Sequence, residues 1–215
     1  MKLGILADIH EHDDELRKSI EVLGRHGADC FIVLGDVCER GKRMEETVAL
    51  LRDVAAIGVW GNHDLGFCFD PSEEIRQQYS GRVLEFMGSL RPRLEVEGCL
   101  FTHVEPWLDT NKIEDLWYFD GPPDTQEKLD RSFAAVPNRV MFTGHFHRWL
   151  LGSSASMIPW NGEGPIRLDM MKQHLIVVNA VWSGHCALFD TERNELTPYS
   201  VGTSRQDEEC ESTLS

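Results

Sequence analysis

The chain has 215 residues, which suits one domain, and its hydrophobic content of 41% is enough to build a core. A net charge of −15 argues against a nucleic-acid partner, because phosphate-backbone binding depends on dense lysine and arginine. No apolar stretch reaches the roughly 18 residues of a membrane span, so we expect no membrane partner. Six cysteines without a CxxC pair, in a chain with no apparent secretion signal, predict reduced thiols and a cytoplasmic location.

The first half of the chain alternates predicted strands and helices. In order, we expect strand 3–7, helix 13–26, strand 30–34, helix 44–54, strand 57–60 and a helix over 71–87. Asp13 can cap the first of these helices. Successive strand–helix units predict a parallel sheet.

The second half has the pattern of antiparallel hairpins. Glu97-Gly98 is typical of a tight turn, and it joins expected strands at 94–96 and 99–102. Further strands are expected at 139–143, within 168–181, and at 184–189 and 196–201. These hairpins indicate a second sheet packed on the first. We expect one domain over residues 1–204, followed by a flexible polar tail at 205–215.

Five short motifs of metal-ligand residue types follow predicted strands. They are Asp8-Ile9-His10, Gly35-Asp36, Gly61-Asn62-His63-Asp64, Thr102-His103 and Gly144-His145-Phe146-His147. Strand ends of an α/β sheet offer side chains to a shared crevice. These motifs hold enough ligands for two ions about 3.5–4 Å apart, the clamp that phosphate-ester enzymes use. An isolated histidine is more often a structural residue, and we interpret His12, His26, His174 and His185 in that way.

Taken together and in this order, the five motifs resemble the signature of the calcineurin-like metallophosphoesterases, over about residues 3–190. The resemblance implies an α/β fold in which two facing mixed β-sheets are flanked by helices, giving four layers. It also implies two divalent metal ions. It assigns Asp8, His10 and His147 to the first ion, Asn62, His103 and His145 to the second, and Asp36 to both. Carboxylate, imidazole and amide ligands favour manganese, with iron, zinc or nickel as alternatives.

His63 lies beside Asn62 but is spare in this ligand set. We interpret it as the residue that stabilises the transition state or protonates the leaving oxygen. Asp64 is expected to hold the tautomer of His63. The nucleophile would be a metal-bridging hydroxide, because divalent metals bring the pKa of bound water down toward about 7.

Residues 35–41 are similar to the Gly-Asp-x-x-Asp-Arg-Gly motif of the phosphoprotein phosphatase and diadenosine tetraphosphate hydrolase branch. The arginine of that motif grips substrate phosphate, which predicts Arg40 as a substrate-binding residue. Glu39 stands where the motif has aspartate, and the second phosphate arginine of that branch is not found after His103.

Two long irregular segments are expected, at residues 104–124 and 152–165, and such loops are typically functional or disordered. The first carries Trp107, Trp117, Tyr118 and Phe119, which either stack on a substrate ring or pack the loop down.

The function predicted is hydrolysis of a small phosphoester. Monoester, diester, nucleotide and phosphoprotein substrates stay open, as does the oligomeric state. The alternative is a non-catalytic protein-interaction scaffold of the same fold, as in a retromer subunit. The intact ligand set, with His63 and Asp64 present, argues against the scaffold.

Overall fold

The computed structural model describes residues 1–39 and 41–203, so the predicted phosphate ligand Arg40 and the expected tail at 205–215 lie outside the described residues. Within this part of the chain the strands are β1 Lys2–Leu6, β2 Cys30–Leu34, β3 Ile57–Val59, β4 Leu94–Val96, β5 Cys99–Phe101, β6 Val140–Thr143, β7 Leu150–Ser153, β8 Met157–Ile158, β9 Ile166–Arg167, β10 His174–Val177, β11 His185–Asp190 and β12 Glu195–Ser200. The α-helices are α1 Asp13–Arg25, α2 Met44–Asp53, α3 Leu65–Cys68, α4 Glu73–Gln78, α5 Gly81–Met87, α6 Ile113–Leu116 and α7 Gln126–Ala135.

The strands form two six-stranded sheets of mixed direction. The first has the order β3-β2-β1-β11-β12-β9, and the second has the order β4-β5-β6-β10-β7-β8. Strands β1, β2 and β3 run parallel, and so do β5 and β6. Glu97 and Gly98 both have positive φ, as a type I′ turn requires, and they join β4 to β5 as the sequence predicts.

The two sheets face each other across a hydrophobic core. Alternate residues of β1, such as Leu3 and Ile5, point into it and are fully buried. From the other sheet, the rings of Phe101 and Phe142 stack with centroids 5.2 Å apart and planes 7° apart. This interdigitation fixes the sheets against one another and therefore fixes the relative positions of their strand ends.

Helices cover both outer faces. Leu16 and Leu23 of α1 and Leu51 of α2 pack in one cluster with outward-facing residues of the first sheet. Leu129 of α7 packs on the outer face of the second sheet, against Met141 and neighbouring residues. The predicted four-layer α/β architecture is therefore confirmed.

The helix expected over residues 71–87 is two helices, and in this detail the prediction was wrong. Tyr79 is extended, and the hydroxyl of Ser80 accepts a hydrogen bond from the backbone N–H of Val83, which starts α5 as an N-cap. The carboxylate of Glu45 also accepts hydrogen bonds from the backbone and hydroxyl of Ser80. Asp13 lies in the first turn of α1 instead of capping it, because the N-cap is His12.

The five cysteines in the described ranges are free thiols. Among the helices of residues 1–39 and 41–203, none has the length and apolarity that a membrane crossing needs.

Candidate active site

The predicted motifs converge at one edge of the sandwich. Asp8, Asp36 and Asn62 follow the parallel strands β1, β2 and β3, and His103 and His145 follow the parallel strands β5 and β6. Parallel strands end at the same edge of a sheet, so the fold delivers these side chains to one place.

The backbone at this edge is strained. Of the ten non-glycine residues with positive φ in the described ranges, six lie here: Asp8, His10, Glu11, Asp36, His145 and His147. Such conformations cost about 1–3 kcal/mol each and persist where the surroundings impose them, often at functional sites. Close packing helps to hold these backbone conformations in place. A Cβ on Gly61 would overlap the Asp36 carboxylate, and one on Gly35, where φ is +85°, would come within 2.6 Å of His103 Nδ1.

One cluster of ligand atoms joins Asp8, His10 and His147. The Nε2 atoms of His10 and His147 lie 3.3 Å apart, and His147 Nε2 lies 3.5 Å from Asp8 Oδ1. One ligand atom from each of these three residues fits within a 4.8 Å span. Both oxygens of Asp8 also accept the backbone N–H of His145 at 3.0 Å, which ties this cluster to the β6 edge.

A second cluster joins Asn62, His103 and His145. Asn62 Oδ1 lies 2.9 Å from His103 Nε2 and 3.1 Å from His145 Nδ1, and those two nitrogens are 3.3 Å apart. His103 donates from Nδ1 to the backbone carbonyl of Leu34 at 2.7 Å, so its Nε2 presents a lone pair to the cluster when the ring is neutral.

Asp36 lies between the clusters. Its Oδ2 is 3.7 Å from His10 Nε2 and 3.4 Å from His103 Nε2, while its Oδ1 accepts the backbone N–H of His63 at 3.0 Å. Burial raises the pKa of Asp36, but the neighbouring His103 and His10 outweigh burial and lower it. The carboxylate is therefore charged, and its Oδ2 faces a histidine nitrogen of each cluster.

The donor set fits divalent cations. A metal–nitrogen bond of about 2.1 Å places neighbouring ligand atoms about 3.0 Å apart in an octahedral site and about 3.4 Å apart in a tetrahedral one, the separations seen here. Burial lowers the pKa of His145 to about 4, so its ring is a neutral donor at pH 7. Burial also lowers the pKa of His103, but the Asp36 carboxylate outweighs it and raises the value to about 9. That environment favours positive charge, which a proton or a metal ion supplies.

His63 borders the clusters with its ring 32% exposed, so a substrate can reach it. Its centroid lies 5.0 Å from that of His10. It also forms a candidate cation-binding group with His10 and Asp36, so the geometry allows it to act as a ligand as well as an acid. Its Nδ1 lies 3.5 Å from Glu39 Oε2.

Asp64 has a different set of partners from the one the sequence suggested. Its Oδ1 accepts the backbone N–H groups of Val37 and Cys38 at 2.9 and 3.0 Å, and its Oδ2 accepts that of Gly61 at 2.9 Å. Among the described residues, the carboxylate at ion-pair distance from a nitrogen of the His63 ring is that of Glu39, 3.5 Å from Nδ1. These hydrogen bonds fasten the loop after β2 to the loop after β3.

Sequence reasoning missed Glu11, a buried carboxylate that organises the loop after β2. Its Oε1 accepts the backbone N–H groups of Glu39 and Gly41 at 2.9 and 2.5 Å, and its Oε2 accepts that of Arg43 at 2.8 Å. Burial raises the pKa of Glu11, but these backbone donors outweigh it and lower the pKa. The available signal was a charged residue directly after the Asp8–His10 motif.

Histidines interpreted as structural make other contacts. His174 Nε2 lies 2.9 Å from the carbonyl of Asp169, and His185 Nδ1 lies 3.1 Å from the hydroxyl of Ser183. Neither belongs to a candidate cation-binding group among the residues that the structure describes.

The fold of this sheet sandwich matches that of known metallophosphoesterases. A metallophosphoesterase from Sphaerobacter thermophilus superposes with a TM-score of 0.75 at 23% identity, covering 94% of this chain and 89% of that one. An archaeal phosphodiesterase gives a TM-score of 0.55 at 17% identity, covering 94% of this chain and 100% of that one. An uncharacterized protein of Methanocaldococcus jannaschii is 25% identical over 190 residues, which is 81% of this chain and 73% of the relative.

The fold, the candidate ligand clusters and the matching family model together define the class, that of the metal-dependent phosphoester hydrolases. Residues 1–178 match the family model described as the calcineurin-like phosphoesterase superfamily domain. The chain belongs to that superfamily, as its five motifs suggested.

Proposed function

We propose that this chain is a dinuclear phosphoesterase that hydrolyses small phosphate mono- or diesters. The observation that carries the proposal is the position of Asp36 Oδ2, which lies 3.7 Å from His10 Nε2 on one side and 3.4 Å from His103 Nε2 on the other. A carboxylate shared by two groups of lone-pair donors is the arrangement that two neighbouring cations need.

The proposed ligands follow the two clusters. One divalent ion would be held by Asp8, His10 and His147, the other by Asn62, His103 and His145, and both by Asp36. The mixture of imidazole, carboxylate and amide donors favours manganese, with iron, zinc or nickel as alternatives. When bound, such a pair would polarise the phosphoryl group and lower the pKa of an attacking water.

The chain's own residues supply the remaining steps. His63, partly exposed beside the clusters, is placed to protonate the leaving oxygen or to contact the charge that develops on phosphorus. The Glu39 carboxylate lies 3.5 Å from His63 Nδ1, where it would orient the ring and leave Nε2 for the substrate. Asp64 and Glu11 position the loops that carry these two residues.

We propose Arg40 as a phosphate ligand on the basis of its sequence motif alone. A planar guanidinium grips two phosphate oxygens at once, which lysine does not do. Arg40→Lys should therefore weaken turnover of monoesters more than turnover of aryl diesters, which offer one fewer charged oxygen. The expected loss is about 1–3 kcal/mol in transition-state stabilisation, the scale of a charge-assisted hydrogen bond.

The experiment is turnover by protein stripped with a chelator and reloaded separately with manganese, iron, zinc or nickel. The substrates are p-nitrophenyl phosphate and bis(p-nitrophenyl) phosphate, followed by a panel of nucleotides, sugar phosphates and phosphopeptides. We expect metal-dependent hydrolysis of at least one ester, lost in Asp36→Asn. A non-catalytic scaffold would give no turnover with any of these metals.

A further inference from the structure

The loop at residues 104–124, which the sequence predicts to be irregular and which includes the short helix α6, exposes aromatic side chains beside the site. The described residues have eight large hydrophobic side chains exposed to solvent, and four of them lie in this loop: Ile113, Trp117, Tyr118 and Phe119. Trp117 is 54% exposed and Phe119 is 65% exposed. Burying these rings would stabilise the fold, so their exposure costs stability. A cluster of exposed apolar groups of this kind marks a binding surface more often than chance.

The loop's aromatic residues divide into two groups. Trp107 packs underneath, with its Nε1 donating to Glu105 and the guanidinium of Arg131 lying 4.5 Å from its ring. Tyr118 leans onto Trp107, edge to face, with centroids 5.5 Å apart. These contacts fasten the loop, so the packing interpretation holds for Trp107 and Tyr118.

Trp117 and Phe119, on either side of Tyr118, lie instead beside histidines of the candidate site. The Trp117 centroid lies 5.3 Å from that of His63, with the planes tilted by 44°. Phe119 lies 6.2 Å from His145 and 6.1 Å from Phe146. One exposed ring therefore borders the proposed general acid, and the other borders a proposed metal ligand.

We propose that Trp117 and Phe119 form a stacking subsite for the base of a small nucleotide ester. The proposal rests on the proposed function, because it needs the ester's phosphate to lie at the two clusters. Every base has a π-face, and removing one aromatic platform typically weakens binding by about 5- to 150-fold. Placement beside His63 and His145 puts the base within a nucleoside's reach of the phosphate, whereas the charge of −15 disfavours long polymers.

The test compares adenosine 5′-monophosphate with ribose 5-phosphate, which has the same phosphate and sugar but no base. Isothermal titration calorimetry on the metal-loaded protein should show adenosine 5′-monophosphate binding at least fivefold more tightly. Trp117→Ala and Phe119→Ala should each reduce that preference, and the double variant should abolish it. Affinity for ribose 5-phosphate should stay within twofold throughout.

Two matched variants sharpen the test. Trp117→Phe keeps a ring and should retain most of the preference, whereas Trp117→Leu keeps apolar bulk without a π-face and should reduce the preference as much as Trp117→Ala does. Phe69→Ala removes a ring that is 74% exposed but makes no ring contact with a site histidine among the described residues, so it should leave the preference for adenosine 5′-monophosphate unchanged.

The outcomes separate the subsite from the proposed function. If the protein hydrolyses no phosphoester but prefers adenosine 5′-monophosphate, and the double variant loses the preference, the subsite stands and the hydrolytic proposal fails. Equal affinity of the wild type for the two compounds, no binding of adenosine 5′-monophosphate, or a preference that survives in the double variant overturns the subsite.

Discussion

Glu39 Oε2 lies 2.9 Å from Nδ1 of His10, at close ion-pair distance although the N–H is not aligned on that oxygen. The opposite nitrogen of the same ring, Nε2, faces His147 and Asp36. A carboxylate behind a metal-binding imidazole fixes the ring's tautomer and orientation. Since Glu39 Oε2 is also 3.5 Å from His63 Nδ1, one carboxylate lies beside both a proposed ligand and the proposed acid.

Glu39→Gln should lower kcat by about 10–100-fold, the usual effect of removing a group that orients a metal ligand. The apparent affinity for metal should fall as well, because His10 loses its support. Steady-state kinetics across a metal titration measure both effects. Glu46→Gln, a change of another partly exposed carboxylate that pairs with Arg43, serves as the control. Wild-type kinetics in Glu39→Gln would show that Glu39 supports neither histidine.

His63→Ala should retain its metal and lose turnover. A positioned acid or transition-state contact contributes about 10²–10⁴-fold, so kcat should fall by that factor. Metal content by plasma mass spectrometry distinguishes the roles, since the candidate group of His10, Asp36 and His63 would also allow His63 to be a ligand. If the variant loses an ion, His63 is a metal ligand. If kcat is unchanged, His63 is a structural residue.

Glu11→Gln should loosen the loop after β2. An amide keeps one acceptor but turns an NH₂ group toward backbone donors, and each hydrogen bond to a charged group contributes about 1.5–3 kcal/mol. The free energy of unfolding, measured in urea, should drop by about that amount. Hydrogen exchange at the amides of Glu39, Gly41 and Arg43 should quicken more than elsewhere. Uniform exchange rates across the fold would contradict a local role.

Asp64→Ala should destabilise the protein and weaken metal binding, because it leaves the N–H groups of Val37, Cys38 and Gly61 without their acceptor. The expected loss in the free energy of unfolding is at least about 2 kcal/mol. Asp64→Asn, which keeps one acceptor oxygen, should lose less of the free energy of unfolding than Asp64→Ala does. A variant with full stability and full metal content but no turnover would restore Asp64 to the catalytic role that its place after His63 suggested.

The proposed ligands could be predicted from the sequence because each lies in a short motif after an apolar strand, as Asp8 and Asp36 do. Parallel strand direction then brings these ends together. The roles of Asp64, Glu11 and Glu39 could not be predicted. Each depends on how the loops after β1, β2 and β3 cross one another, and spacing along the chain does not report that geometry.

Two features of the fold were also missed, for different reasons. The strand β7 and the two-residue edge strands β8 and β9 were not predicted, since pairing with a neighbour and not local pattern makes them strands. The break before α5 had a local signal, because serine is a strong N-cap residue and Ser80 was available to end the apolar run.

The central claim, two ions sharing Asp36, is tested most directly by counting metal per chain. Plasma mass spectrometry on reloaded, desalted protein should give two equivalents for the wild type. Asn62→Ala should keep one, because the cluster of Asp8, His10 and His147 is intact. Asp36→Asn should retain fewer than one. A single ion in the wild type, or two in Asp36→Asn, would contradict the shared carboxylate.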